Sequence, residues 1–234
     1  MRGQPLQRPT SGVIEMINNN QSISSSSSGF RKTDEKIEKA CSDFMVRNCW
    51  KKKGIPFEVV TDKTRQYLGI DLVLNGKINI DEKVKYYNCL NREISAPSVE
   101  ILTTDRNGND IKGWFVNPKM KTHAYAFISI FTDETDYSKI TADNIKSLTY
   151  LIVPKQELTD LLQDNYSNLW AEALDLKYYG RENWKGKITK KVGDFWLSYS
   201  FQLKEKPVNL VIGRDVLKSL PHSKELKISN DFCN

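Results

Sequence analysis

The chain has 234 residues, of which 39% are hydrophobic and 27% charged, with a formal charge of +6. That length and balance support one generous core and exclude a small scaffold dependent on disulfide or metal staples, while the excess of Lys and Arg makes a polyanion a plausible partner. No stretch approaches the roughly 18 apolar residues a membrane span needs and the N-terminus lacks a short apolar secretory core, so a cytoplasmic protein with no membrane partner is expected.

Residues 1–29 are rich in Ser, Asn, Gln and Pro and end in the run Ser24 to Ser28. Such a composition buries too little apolar area to offset backbone ordering and predicts a flexible tail ahead of a single domain over 30–234. From Lys32 the pattern is helical: Ile37, Ala40, Cys41, Phe44, Met45 and Asn48 recur at i, i+3, i+4 spacing, with Thr33 or Asp34 as N-cap and a stop near Lys53-Gly54. Pro56 to Val60 reads as a first strand, Leu68 to Leu74 as a second, and Lys77 to Tyr86 as a third beyond the hairpin signal Asn75-Gly76. Val99 to Thr103, Ile111 to Val116 and Ala124 to Phe131 continue a mixed sheet. In the second half, Leu148 to Val153 is strand-like, Lys155 to Gln163 and Ser167 to Tyr178 are helical, Phe195 to Leu203 and Pro207 to Ile212 are strand-like, and Asp215 to Leu220 closes as a helix. Cys41, Cys49, Cys89 and Cys233 form neither CxxC pairs nor a disulfide framework and are expected to be reduced.

The segment from Gly69 to Lys83 carries the chemistry. Asp71 interrupts one apolar strand, and Asp81-Glu82-Lys83 interrupts the strand that follows the hairpin. Burying an unpartnered carboxylate costs several kcal/mol, so charges in such places call for a cation or a functional reason. Two carboxylates offer hard oxygen ligands to Mg²⁺ (or Mn²⁺) and leave coordination positions for water and a phosphate oxygen. A lysine two residues on, along the same strand face, can orient or help deprotonate a water and neutralise a phosphate.

In this order of elements the sequence resembles the PD-(D/E)xK, or restriction-endonuclease-like, nuclease superfamily. The resemblance covers about residues 33–131 and leaves 132–234 as a C-terminal extension. Asp71 matches the first acidic position, Asp81 the second and Lys83 the lysine, while Glu38 matches the extra acidic residue that many members carry on the preceding helix. Ile70 stands where the motif name has proline, and Asp81 where glutamate is commoner. The text around Gln66 to Asp71 and Ile80 to Lys83 is also similar to bacterial and phage members. The resemblance implies an α/β fold with a restriction-endonuclease-like core, a mixed central sheet with an acidic N-terminal helix and flanking helices. It further implies a Mg²⁺-dependent nuclease acting on nucleic acid, DNA in the first place, with Asp71 and Asp81 as metal ligands and catalytic roles for Asp71, Asp81, Lys83 and Glu38. A homodimer is compatible with it.

Glu35 competes with Glu38 for the helix position, and Gln66 and Glu100 are candidates for supporting the ligands. Lys51, Lys52, Lys53 and Lys85 are candidate phosphate contacts. Glu82 points to the strand face opposite Asp81 and Lys83, so a structural role is expected. His123 and His222 have no metal-ligand partner at useful spacing. The aromatic residues Trp114, Trp170, Trp184, Trp196 and Tyr86-Tyr87 read as packing residues that could stack on bases. Two non-enzymatic readings compete: a nucleic-acid-binding module that keeps the fold without turnover, and a structural or assembly protein. The hairpin sets a geometric condition. A two-residue Asn75-Gly76 loop would put Asp71 across from Ile80 and on the wrong face, so a shared site requires a three-residue loop with Gly76 in the left-handed region, or a bulge beside Asp71.

Overall fold

The computed structural model describes residues 27–84, 90–165, 168–183 and 188–230. Helix α1 runs over Ser27–Met45, ahead of the expected start, so neither Thr33 nor Asp34 caps it. Its Ile37, Ala40, Cys41, Phe44 and Met45 are all buried, as their spacing predicts. A π-helical turn at Val46–Trp50 adds buried Asn48, Cys49 and Trp50, and the chain reverses at Gly54, whose φ is +62°. Cys41 is a free buried thiol, whereas Cys49 departs from expectation and is disulfide-bonded. Cys89 and Cys233 lie outside the described residues, as do Lys85, Trp184 and Tyr86-Tyr87.

Strand β1 (Phe57–Val59), a short helix α2 (Lys63–Gln66), β2 (Leu72–Leu74) and β3 (Ile78–Val84) follow. Then come β4 (Ser98–Thr104), β5 (Asp110–Lys112), β6 (Ala124–Thr132), β7 (Ile145–Pro154), α3 (Lys155–Asn165) and α4 (Leu169–Asn183). The chain closes with β8 (Ile188–Val192), β9 (Phe195–Tyr199), β10 (Val208–Val211), α5 (Arg214–Lys218) and β11 (Lys224–Ser229). The strands form two sheets where the sequence suggested one. The first is mixed, in the order β1-β2-β3-β6-β7-β11, and the second is antiparallel, in the order β5-β4-β10-β9-β8. Strands β7 to β11, from the segment read as a C-terminal extension, are built into both sheets.

Among the described strands only the β3–β6 pairing is parallel, and its crossover runs through β4 and β5 of the second sheet. Because β6 lies mid-sheet and is covered on both faces, it is apolar almost throughout. Its alternate residues divide between two cores. Ala124, Ala126, Ile128 and Ile130 pack with α1, while Tyr125 and Phe127 pack against the second sheet, α3 and α4. The molecule is thus layered as helix, mixed sheet, then second sheet with helices. In the second core Lys177 is fully buried and satisfied by Asp110 at 2.6 Å and by the Thr104 hydroxyl.

Candidate active site

The hairpin meets the geometric condition. Leu74 pairs with Ile78, Val73 with Asn79 and Leu72 with Ile80, leaving Asn75, Gly76 and Lys77 as a three-residue loop. Asn75 and Gly76 both lie in the left-handed region, at φ 52° and 65°, which an Asn-Gly pair adopts at little cost. Continued by one step, this register brings Asp71 across from Asp81. There the strands part: Asp71 N–H donates to Ile80 O, and Asp71 Oδ2 accepts from Glu82 N–H at 2.9 Å, in place of a ladder bond.

The parting is forced by Gly69, which has φ +73°. A Cβ there would meet Thr122 Oγ1 at 2.3 Å and Met120 Cε at 2.7 Å, with Asp81 Oδ2 at 3.4 Å. Thr122 Oγ1 in turn donates to Gly69 O at 2.9 Å. Leu68 to Ile70 therefore form a turn and not the strand the apolar run suggests, and β3 is left uncovered beyond Asp81.

A cleft of about 660 Å³ opens at this point. One wall is α1, with Glu35, Glu38, Lys39, Ser42 and Asp43; the other is the Val59–Tyr67 segment; Asp71, Glu82 and Lys83 line it from the sheet. Gln66 Nε2 donates to Val60 O at 2.9 Å, and Val60 N–H donates to Asp71 O at 2.8 Å. Gln66 thus straps α2 to the strand end that carries Asp71.

Asp81 is 2% exposed. Its Oδ1 pairs with Lys83 Nζ at 2.5 Å, whereas no hydrogen-bond donor among the described residues reaches its buried Oδ2. Burial pushes the Asp71 carboxyl up to about 8, reinforced by the Asp81 charge and by a proton the two carboxyls can share. For Lys83, desolvation works to lower the pKa, but Asp81 and Asp71 outweigh it and hold the ammonium above its ordinary value. It therefore keeps its proton and is able to act as a hydrogen-bond donor. That argues against the base role allowed by sequence. The ammonium also lies 4.8 Å from the centre of the Trp114 ring.

Trp114 is placed there by Glu100, whose Oε1 accepts from Trp114 N–H while its carbonyl accepts from Phe115 N–H. Gly113 approaches so closely that a Cβ would lie 2.5 Å from Glu100 O. Glu100, raised by burial, is therefore a support for the aromatic cover of Lys83.

Glu82 faces the first core as expected. It accepts from Tyr150 OH at 2.6 Å, and burial lifts its carboxyl to about 7. Tyr150, Trp114 and the half-buried Lys155, whose pKa burial lowers against the pull of Asp81, carry no local motif and emerge only from the strand pairing. Glu38 lines the cleft and acts electrostatically on Glu82 and Lys83; Glu35 lines it one turn earlier. Lys51, Lys52 and Lys53 are exposed but none lines the cleft, and Lys52 Nζ is engaged by Asn230 O. His123 Nδ1 accepts from Asn79 N–H, and His222 pairs with Glu157.

Among the described residues no cluster of three or more His, Cys, Asp or Glu side chains forms a ready-made metal cage. Two adjoining carboxylates with an orphaned buried oxygen still suit a hard cation that takes its other ligands from water and substrate. Comparison with protein-family models, curated proteins and solved structures returns no match.

Proposed function

We propose that the chain is a divalent-metal-dependent nuclease built on a restriction-endonuclease-like core. In this reading α1, the β1-β2-β3 meander and the parallel strand β6 are that core, and DNA is the substrate. One observation carries it: Asp71 and Asp81 lie side by side, with Lys83 paired to Asp81 and an Asp81 oxygen that no donor among the described residues satisfies. A buried carboxyl pair of this kind is stable with one shared proton or with one cation in its place. Asp71 and Asp81 would hold Mg²⁺ or Mn²⁺, which when bound polarises a phosphate oxygen and acidifies a water. Lys83 donates to the phosphate or orients that water, Trp114 limits solvent around the ammonium, and Glu38 adds negative charge on the helix side of the cleft.

The test is incubation of linear, nicked, branched and single-stranded DNA with Mg²⁺, Mn²⁺ or EDTA, using wild type and Lys83→Met. The methionine keeps a flexible stem beneath Trp114 but cannot donate. We expect cleavage in metal, none in EDTA, and a loss of at least about 100-fold in the variant, in the range of a positioned proton-transfer group. Metal-independent cleavage, or an undiminished rate in Lys83→Met, would remove this assignment.

A further inference from the structure

Resting on the nuclease reading, we infer that the cleft accepts an unpaired DNA strand and not an intact duplex, with Tyr67 as the platform on which one base stacks. Asp81 is almost wholly buried and Asp71 lines the cleft, so the cleft is the route by which a phosphodiester approaches the carboxyl pair. A space of about 660 Å³ is the size of a small-ligand pocket and holds one or two nucleotides. A paired strand does not supply them, because its bases are committed to the opposite strand. An unpaired strand can turn a nucleotide inward.

Tyr67 supplies the second observation. At 71% it is the most exposed of the large hydrophobic side chains described, and core packing gives no reason for it. It lines the cleft on the wall opposite α1. Lys63 lies four residues earlier, on the same side of α2, and lines the cleft too. A ring beside an ammonium, one nucleotide's reach apart, is the pairing that binds the base and phosphate of a single strand without reading sequence.

The backbone that presents the ring is anchored on both sides. Asp62 caps α2 by accepting from Thr64 N–H and Arg65 N–H, Arg65 is ion-paired to Glu58, and Gln66 is bonded to Val60. With the backbone anchored before substrate arrives, only the ring's own rotamers remain to be ordered on stacking.

The experiment uses the full chain with Mn²⁺ and one labelled DNA strand in three forms: alone, fully paired, and paired with an unpaired end. Wild type is compared with Tyr67→Ala and Tyr67→Phe, whose melting temperatures should match it because the side chain is exposed. The inference requires the lone strand and the unpaired end to be cut at least about tenfold faster than the full duplex. Tyr67→Ala should raise KM about tenfold on unpaired DNA with kcat within about twofold, the loss expected of one stacked base, while Tyr67→Phe stays near wild type. Equal cutting of duplex and single strand, or an unchanged KM in Tyr67→Ala, overturns the inference and leaves the nuclease reading standing. No metal-dependent cutting of any form overturns both.

Discussion

Asp71 and Glu82 hold protons in the folded chain that they release when it unfolds. Their ordinary values of 3.8 and 4.5 rise to about 8 and about 7, in each case first through burial. Between those limits the folded state binds more protons, so stability falls as pH rises from about 4 and levels off above about 8. The upward shift of Lys83 acts only in strongly alkaline solution, because its stabilising effect is fully present below 10.5. In EDTA the melting temperature should therefore drop between pH 5 and 8. Asp71→Asn should flatten the profile and raise stability at pH 8 by about 1–2 kcal/mol, a gain of about 2–8 °C, since it removes a buried charge beside Asp81. Mg²⁺ or Mn²⁺ should stabilise wild type at pH 8 and leave Asp71→Asn unmoved. Thermal melts over pH with and without metal check all three, and a flat wild-type profile would contradict the buried carboxyl pair.

At the level of elements, the hairpin was the most legible part of the sequence, because Asn75-Gly76 between apolar runs has few other uses. Its loop length was not legible, since two and three residues leave the same text. Deleting Lys77 would restore a two-residue loop and exchange the faces of β3 relative to β2. That variant should bind Mg²⁺ or Mn²⁺ at least about tenfold more weakly by calorimetry; unchanged affinity would place the metal away from Asp71. The turn at Gly69 was misread as strand because Leu68, Ile70 and Leu72 look continuous, and only the left-handed glycine pressed against Thr122 breaks the run. Gly69→Ala should cost about 1–3 kcal/mol in denaturant unfolding, from strained φ and the clash together. Strands β8 and β11 were missed for a related reason. Each is the last strand of its sheet and carries lysines, Lys190-Lys191 and Lys224, Lys227, which guard an edge from further pairing but mask its apolar alternation. Residues from separate segments that meet at the site, such as Trp114, Tyr150 and Lys155, were illegible for want of any local spacing.

Across the whole molecule, charge is distributed against the simplest view of a basic DNA-binding protein. The chain is +6, yet the cleft is lined by five carboxyl groups and three ammonium groups. Under the nuclease reading, nucleic acid is attracted to the general surface, whereas in alkaline solution, once Asp71 and Glu82 have lost their protons, its phosphate is repelled from the cleft until a cation offsets the carboxylates. DNA affinity in Ca²⁺ should accordingly exceed that in EDTA by at least about tenfold at fixed ionic strength, measured by fluorescence anisotropy. Replacing Lys51, Lys52 and Lys53 with alanine should weaken binding and reduce its salt dependence without changing kcat, because those residues lie outside the cleft. Equal affinity with and without the ion would mean that DNA binds elsewhere.

The parallel pairing of β3 with β6 also has a bearing on the order in which the chain assembles. The hairpin that carries Asp71 and Asp81 closes over a three-residue loop, a microsecond event, but the strand that buries it arrives from a segment some forty residues further on, after β4 and β5. Once the hairpin closes, a nascent chain presents the two aspartates across from one another but still hydrated. Burial of the pair then waits for β6 to dock on β3 and set Tyr125 alongside Asp81, so the low-dielectric surroundings of the site come from a contact distant in sequence.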